Sequence, residues 1–183
     1  MTSCVPRGFY GRPVAEVARG LLGKRLVRRT RLGTMSGIIT ETEAYGHADD
    51  PASHAHRGAT DRNRAMFGQR GRAYVYFTYG MHWCFNIVAR GPGEEAGAVL
   101  VRAAEPESGT AQMIRNRGGR GDVMRGPARL AQALRITGDL YGEDLTVGRR
   151  VWIEDGPAPR RIRSSPRVGI RLAAQRPWNF RSA

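Results

Sequence analysis

Lysine is almost absent from this chain of 183 residues: Lys24 is the only one, and every other basic side chain among 30 is arginine. Chemistry that recruits a side-chain amine therefore has one residue to draw on. Acids are scarce as well, with 16 Asp and Glu and a net charge of +14. That imbalance points to a polyanionic partner, nucleic acid foremost, and arginine is the better fork for phosphates. The two cysteines, Cys4 and Cys84, form no Cys-x-x-Cys pair, and with His47, His54, His56 and His82 they make no metal-ligand spacing. This predicts a reduced, cytoplasmic setting without a structural metal. No stretch approaches the roughly 20 apolar residues of a membrane span, and Met1 to Tyr10 lacks the apolar core of a secretory signal. Repeats and low-complexity blocks are missing too. With 40% hydrophobic residues, the length suits one domain, residues 1–183, with a substantial core.

Periodicity predicts the elements. Pro13 to Leu22 reads as a helix with proline in its first turn and Val14, Val17, Ala18, Leu21 and Leu22 as its apolar stripe. Arg25 to Thr30 and Gly37 to Tyr45 read as strands. Gly46 to Gly71 is a long polar loop, a length that marks function or mobility. Ala73 to Arg90 reads as two β-rich halves broken at Gly80. Ala98 to Ala103 is a short buried strand, Glu107 to Arg117 a helix, Arg115 to Arg125 a Gly/Arg-rich loop and Pro127 to Ile136 a second proline-led helix. Arg149 to Ile153 and Arg167 to Leu172 read as closing strands. Hairpin-like neighbours with few βαβ spacings predict an α+β fold with a largely antiparallel sheet.

Three apolar strands each carry one polar residue out of pattern: Glu43, Asn86 and Arg102. Alternation puts Glu41, Glu43 and Tyr45 on one strand face and Thr40, Thr42 and Ala44 on the other. Unpaired carboxylates are costly to bury, so two readings stand side by side. One is a structural network, such as a Glu43–Arg102 ion pair on a solvated edge. The other is a pocket in which an arginine-held carboxylate acts on water as a general base. Tyr45, Tyr74, Tyr76 and Tyr79 add aromatic surface near these residues. They fit an ordinary sheet core or a stacking box for a nucleobase, where each stack contributes about 1–3 kcal/mol.

These segments together resemble one family. Glu41-Thr42-Glu43-Ala44-Tyr45, Ala52-Ser53-His54, Arg62 to Phe67, Tyr74 to Met81, Cys84 to Ile87 and Val101 to Pro106 are similar to the alkyladenine (3-methyladenine) DNA glycosylases. Gly126-Pro127, Leu130 to Leu134 and Arg167 to Ile170 continue the match, in order, over nearly the whole chain.

The resemblance implies a repair enzyme that flips alkylated, deaminated or etheno purines from duplex DNA and hydrolyses the N-glycosidic bond, leaving an abasic site. It implies a single mixed domain with a curved antiparallel sheet flanked by helices, like the C-terminal domain of methionyl-tRNA formyltransferase. No metal or cofactor is implied. The implied catalytic residues are Glu43, which activates water, and Arg102, which helps hold it. Tyr45, His54 and Tyr76 would wall the flipped base, Asn86 would obstruct the 2-amino group of normal guanine, and Tyr79 with Met81 would enter the minor groove. His82 and Trp83 stand where relatives often carry other aromatics. The amines, Lys24 and the N-terminus, lie outside these motifs, so no Schiff base with the sugar is expected and the enzyme should be monofunctional. A monomer associated with the nucleoid is expected. The rival reading is a non-catalytic nucleic-acid-binding module of the same fold, which has no need of the Glu43, Arg102 and Asn86 trio.

Overall fold

The computed structural model describes residues 3–183. Helix α1 (Val14–Gly20) turns Val14, Val17 and Ala18 inward, and Leu21 and Leu22 extend that stripe into the following turn. Strands β1 (Arg25–Thr30) and β2 (Gly33–Tyr45) form a hairpin, with β2 starting at Gly33 rather than Gly37. Strands β3 (Ala73–Thr78) and β4 (His82–Val88) form a second hairpin. Strand β5 (Ala98–Ser108) runs five residues beyond the predicted Ala103. It displaces the start of α2 (Thr110–Asn116) to Thr110. Gly109 makes the corner at φ +71°, where a Cβ would lie 2.8 Å from the Thr34 carbonyl oxygen. Helix α3 (Pro127–Ala133) begins at its proline, as read. The chain closes with β6 (Val151–Glu154), β7 (Ile162–Ser165) and β8 (Asn179–Ser182).

Among the described residues the eight strands join one antiparallel sheet, its main path running β3-β4-β5-β2-β1-β6. Along one edge β2 is paired first by β1 and then, at Glu41 to Glu43, by β8, which also pairs β7. The expected strand over Arg167 to Leu172 does not form; that stretch is irregular. Its alternation is genuine, but its backbone serves the site instead, and the neighbouring polar segments supply the strands. The fold is α+β, with the helices packed on one face of a curled sheet. Leu21, Leu26, Ile39, Phe85, Val101 and Leu130 are fully buried between them. A smaller apolar cluster of Ala55, Met66, Tyr74, Val88, Ala96 and Ala98 lies under the long loop.

Two β-bulges decide which side chains reach which face. Across β2 and β5 the partners run Ile39–Ala104, Glu41–Ala103 and Thr42–Val101, so Thr40 on one strand and Arg102 on the other are skipped. An extra residue reverses the in–out alternation of its strand. Hence Ile39 faces the core while Glu41, Glu43 and Tyr45, also odd-numbered, face the other way. The predicted shared face of the two acids and the tyrosine exists, but it begins only after Thr40.

The loop from Gly46 to Gly71 is irregular apart from a 3-10 turn at Arg64–Phe67. It is pinned from within. Asn63 donates to the His54 and Gly58 carbonyls at 2.7 and 3.0 Å and accepts from the Thr60 N–H. Ser53 Oγ donates to the Gly46 carbonyl at 2.7 Å.

Candidate active site

A cavity of about 260 Å3 opens between β3, β4, β5 and the end of β2. Tyr45, His54, Tyr76, Asn86 and Arg102 all line it, joined by Tyr74. Its size suits one heteroaromatic ring system rather than a larger ligand. The aromatic rings meet at angles: His54 and Tyr76 at 4.6 Å between centroids, Tyr74 and Tyr76 at 5.3 Å. The Arg62 guanidinium lies 5.2 Å from the Tyr76 ring. His54 Nδ1 shares a hydrogen bond with the Tyr74 hydroxyl at 2.8 Å. Burial, with the Arg62 charge second, pushes the imidazole's pKa down, so at neutral pH the ring is uncharged and suited to a wall. Asn86 is buried and donates Nδ2 to the Tyr74 carbonyl at 3.1 Å.

Glu43 sits directly behind this cavity, 0% exposed. Oε1 accepts from the Val168 N–H at 2.7 Å and from Asn179 Nδ2 at 3.0 Å. Oε2 accepts from the Tyr45 hydroxyl at 2.9 Å and from Arg102 Nη1 at 3.3 Å. Four donors converge on one side chain. Together they match the acceptor capacity of the two oxygens of a carboxylate. Burial, then the charge of Glu43, pushes the Tyr45 hydroxyl's pKa up, which keeps it a donor. Tyr45 is thus both a wall and a ligand of the carboxylate. The ion-pair reading and the pocket reading describe the same residues: Arg102 bonds Glu43 and faces the cavity.

Glu41 stays outside the cavity lining. Its Oε1 accepts from Arg102 Nε, Asn179 Nδ2 and Arg181 Nη2 at 2.8–3.0 Å. Burial opposes its charge, but Asn179 and the two arginines outweigh it and hold the carboxyl below its usual range. Its role is to fix Arg102 from behind.

Several contributors were not singled out from the sequence. Asn179, on β8, bridges both acids with one amide group. Arg167, with its side chain fully buried, grips Asp50 through two bonds of 2.7 Å and donates to the Ala44 carbonyl at 2.9 Å. Its guanidinium lies 4.7 Å from the Tyr45 ring centroid. Burial opposes the Asp50 charge too, yet the Arg167 fork and the Gly46 N–H pull its pKa down. This pair ties the loop carrying His54 to the segment whose Val168 N–H holds Glu43. Only a family match over Arg167 to Ile170 hinted at it.

Tyr79 and Met81 stand apart from the carboxylate, at the tip of the β3–β4 hairpin. The tip is a turn closed by the Met81 N–H donating to the Thr78 carbonyl at 3.2 Å. Both central residues have positive φ, Tyr79 +51° and Gly80 +66°. That is ordinary for glycine and strained for tyrosine. The two apolar side chains are 86% and 66% exposed. Tyr79 rims the base-sized cavity, whereas Met81 borders a separate hollow.

Among the described residues, no group of three or more His, Cys, Asp or Glu could hold a metal, and no helix is long and apolar enough to cross a membrane. Lys24 pairs with Asp155 at 2.7 Å and does not line the cavity.

A family model for methylpurine-DNA glycosylase matches residues 8–183. A protein of Methanocella arvoryzae is 46% identical over 182 residues, covering 96% of this chain and 90% of its own length. One from Carboxydothermus hydrogenoformans is 47% identical over 180 residues, covering 96% and 93%. One from Chlorobaculum parvum is 47% identical over 175 residues, covering 93% and 83%. Each bears the name "Putative 3-methyladenine DNA glycosylase".

Proposed function

The chain belongs to the methylpurine-DNA glycosylase family, and from that premise we propose that it hydrolyses the N-glycosidic bond of damaged purines flipped out of duplex DNA. The observation that carries this reading is the buried Glu43 carboxylate behind a base-sized cavity walled by tyrosines. A binding module has no use for a carboxylate that must be held by four donors.

The lesion base enters between Tyr45, Tyr76 and His54. As the bond to C1′ breaks, its electron pair leaves with the base and positive charge develops on the sugar. The Glu43 carboxylate stabilises that charge and takes a proton from water as the water oxygen bonds to C1′. On this reading the attacking water takes the place of the Arg102 bond at Oε2, the longest of the four, and Arg102 then holds the water. Alkylation at N3 or N7 makes the base cationic, so it departs neutral. A neutral lesion such as hypoxanthine or etheno-adenine must gain a proton to leave equally well. Asn86, fixed by the Tyr74 carbonyl, obstructs the 2-amino group of guanine. Tyr79 fills the space that the base vacates, with Met81 beside it. The product is an intact abasic site, because among the described residues no amine lines the cavity to attack the sugar.

The test is base release from a duplex carrying one 3-methyladenine or etheno-adenine, extended over a lesion panel. Release that leaves an alkali-labile site supports the reading. Tight lesion binding without release would establish the binding-module alternative instead.

A further inference from the structure

The hairpin tip stands between two concavities. Thr78, Tyr79 and, from the start of α3, Pro127 belong to the base-sized cavity; Met81, His82, Trp83 and, one helix position on, Ala128 belong to a larger hollow of about 530 Å3. A wedge that enters a groove of duplex DNA has one strand on each side. If the base-sized cavity takes the lesion, the larger hollow faces the undamaged strand. This step rests on the function proposed above.

At the far wall of that hollow stands Arg135, and its backbone breaks a local rule. Helix α3 ends with the Ile136 N–H donating to the Ala131 carbonyl at 2.8 Å and the Arg135 N–H to the Gln132 carbonyl at 3.1 Å. In this arrangement the residue after the cap adopts a left-handed conformation and is normally glycine. Here it is Arg135, at φ +50°. Its side chain is exposed and, among the described residues, has no carboxylate within ion-pairing distance. It also borders a second hollow that holds Arg29, Arg31 and Arg149; Arg150 there is paired with Asp139 and Glu143. A strained position kept for a side chain with no partner in the fold signals an external ligand. We propose that Arg135 and the hollow beside the hairpin tip bind the phosphate backbone of the undamaged strand opposite the lesion.

The test sets stability against binding. Arg135→Gly removes the guanidinium and relieves the left-handed strain, while Arg135→Lys keeps a charge there. Fluorescence anisotropy follows each protein on a duplex containing one etheno-adenine and on the same lesion strand alone, over a range of salt. Arg135→Gly should melt at the same temperature as the parent or up to about 4 °C higher. It should bind the duplex more weakly, with a log–log salt slope shallower by about 0.9 for the lost phosphate. Arg135→Lys should recover most of that slope, and single-strand binding should not change. An unchanged duplex slope in Arg135→Gly overturns the proposal, and so does an equal loss on both substrates. A parent enzyme that releases no base would sink the function itself, a separate outcome read on wild-type protein.

Discussion

Replacing Glu43 by Gln tests the site at its centre. The change is nearly isosteric, but four donors now face a group with one acceptor oxygen and one NH2. The oxygen should stay on the Val168 and Asn179 side, because a backbone N–H and an amide already committed to Glu41 cannot become acceptors. The NH2 then faces Tyr45 and Arg102. The Tyr45 hydroxyl can turn and accept, while Arg102 Nη1, at 3.3 Å, cannot. One charge-assisted bond is lost, at about 1.5–3 kcal/mol. Arg102 keeps Glu41 at 2.9 Å, so its charge is not stranded. At roughly 2–4 °C per kcal/mol for a chain of this size, the melting temperature should fall by about 3–12 °C and the variant should fold. Loss of the proton acceptor should slow base release by about 10²- to 10⁴-fold. The assay is single-turnover release from a duplex with one etheno-adenine, beside anisotropy binding to the same duplex. Affinity for lesion DNA should persist. Release within about threefold of wild type in a folded Glu43→Gln protein would remove Glu43 from the general-base role, whose expected contribution is far larger.

Asp50→Asn leaves Arg167 buried without its counter-charge, which should cost about 3–5 kcal/mol in chemical denaturation. In the parent, stability should fall with acid in two windows. His54 titrates lower folded than its ordinary 6.5, so the unfolded chain binds its proton first and stability declines as pH drops below that value. Asp50 is likewise depressed below 3.8, so its contribution is complete above that pH and disappears as pH falls through the lower folded value; urea midpoints from pH 8 down to about 2 would show both windows, and Asp50→Asn should shrink the lower, to which Glu41 and Asp144 also contribute. Tyr79→Ala should leave the melting temperature within about 2 °C, since the ring is exposed, yet slow release from duplex more than from single-stranded lesion DNA. Borohydride added during turnover should trap no protein–DNA adduct, because Lys24 is held by Asp155 away from the cavity; a trapped adduct would show that an amine attacks the sugar.

Much of this arrangement is legible in the sequence, for identifiable reasons. Glu43, Asn86 and Arg102 stand out because each interrupts an apolar strand; Asn86 and Arg102 line one cavity and Glu43 is buried against Arg102 behind it. The β3–β4 hairpin shows through its aromatic and β-branched runs. What was not legible depends on pairings far apart in the chain. Asp50 and Arg167 are 117 positions apart, and neither breaks a local pattern. Asn179 lies in Pro-Trp-Asn-Phe, too short for a period, and acts only because β8 pairs with β2 at the two acids. Strand β7 is polar and mostly exposed, so tertiary pairing alone decides it, whereas Val168, Ile170 and Leu172 alternate like a strand and do not form one.

The skipped residues Thr40 and Arg102 give the central sheet a phase. Before them, odd-numbered residues of β2 point inward; after them, the same parity delivers two carboxylates and a tyrosine to the opposite side. The bulges lie on facing strands and cancel, so the ladder resumes its original register beyond them. Deleting Thr40 alone would throw Glu41 and Glu43 toward Ile39's apolar neighbours, where a stranded carboxylate costs several kcal/mol. Deleting both would restore pairing but leave no acid behind the cavity. The two irregularities therefore form a single heritable unit: sequences that share this chemistry must keep both offsets, because even a compensated change of length restores the pairing and turns the acids away from the cavity.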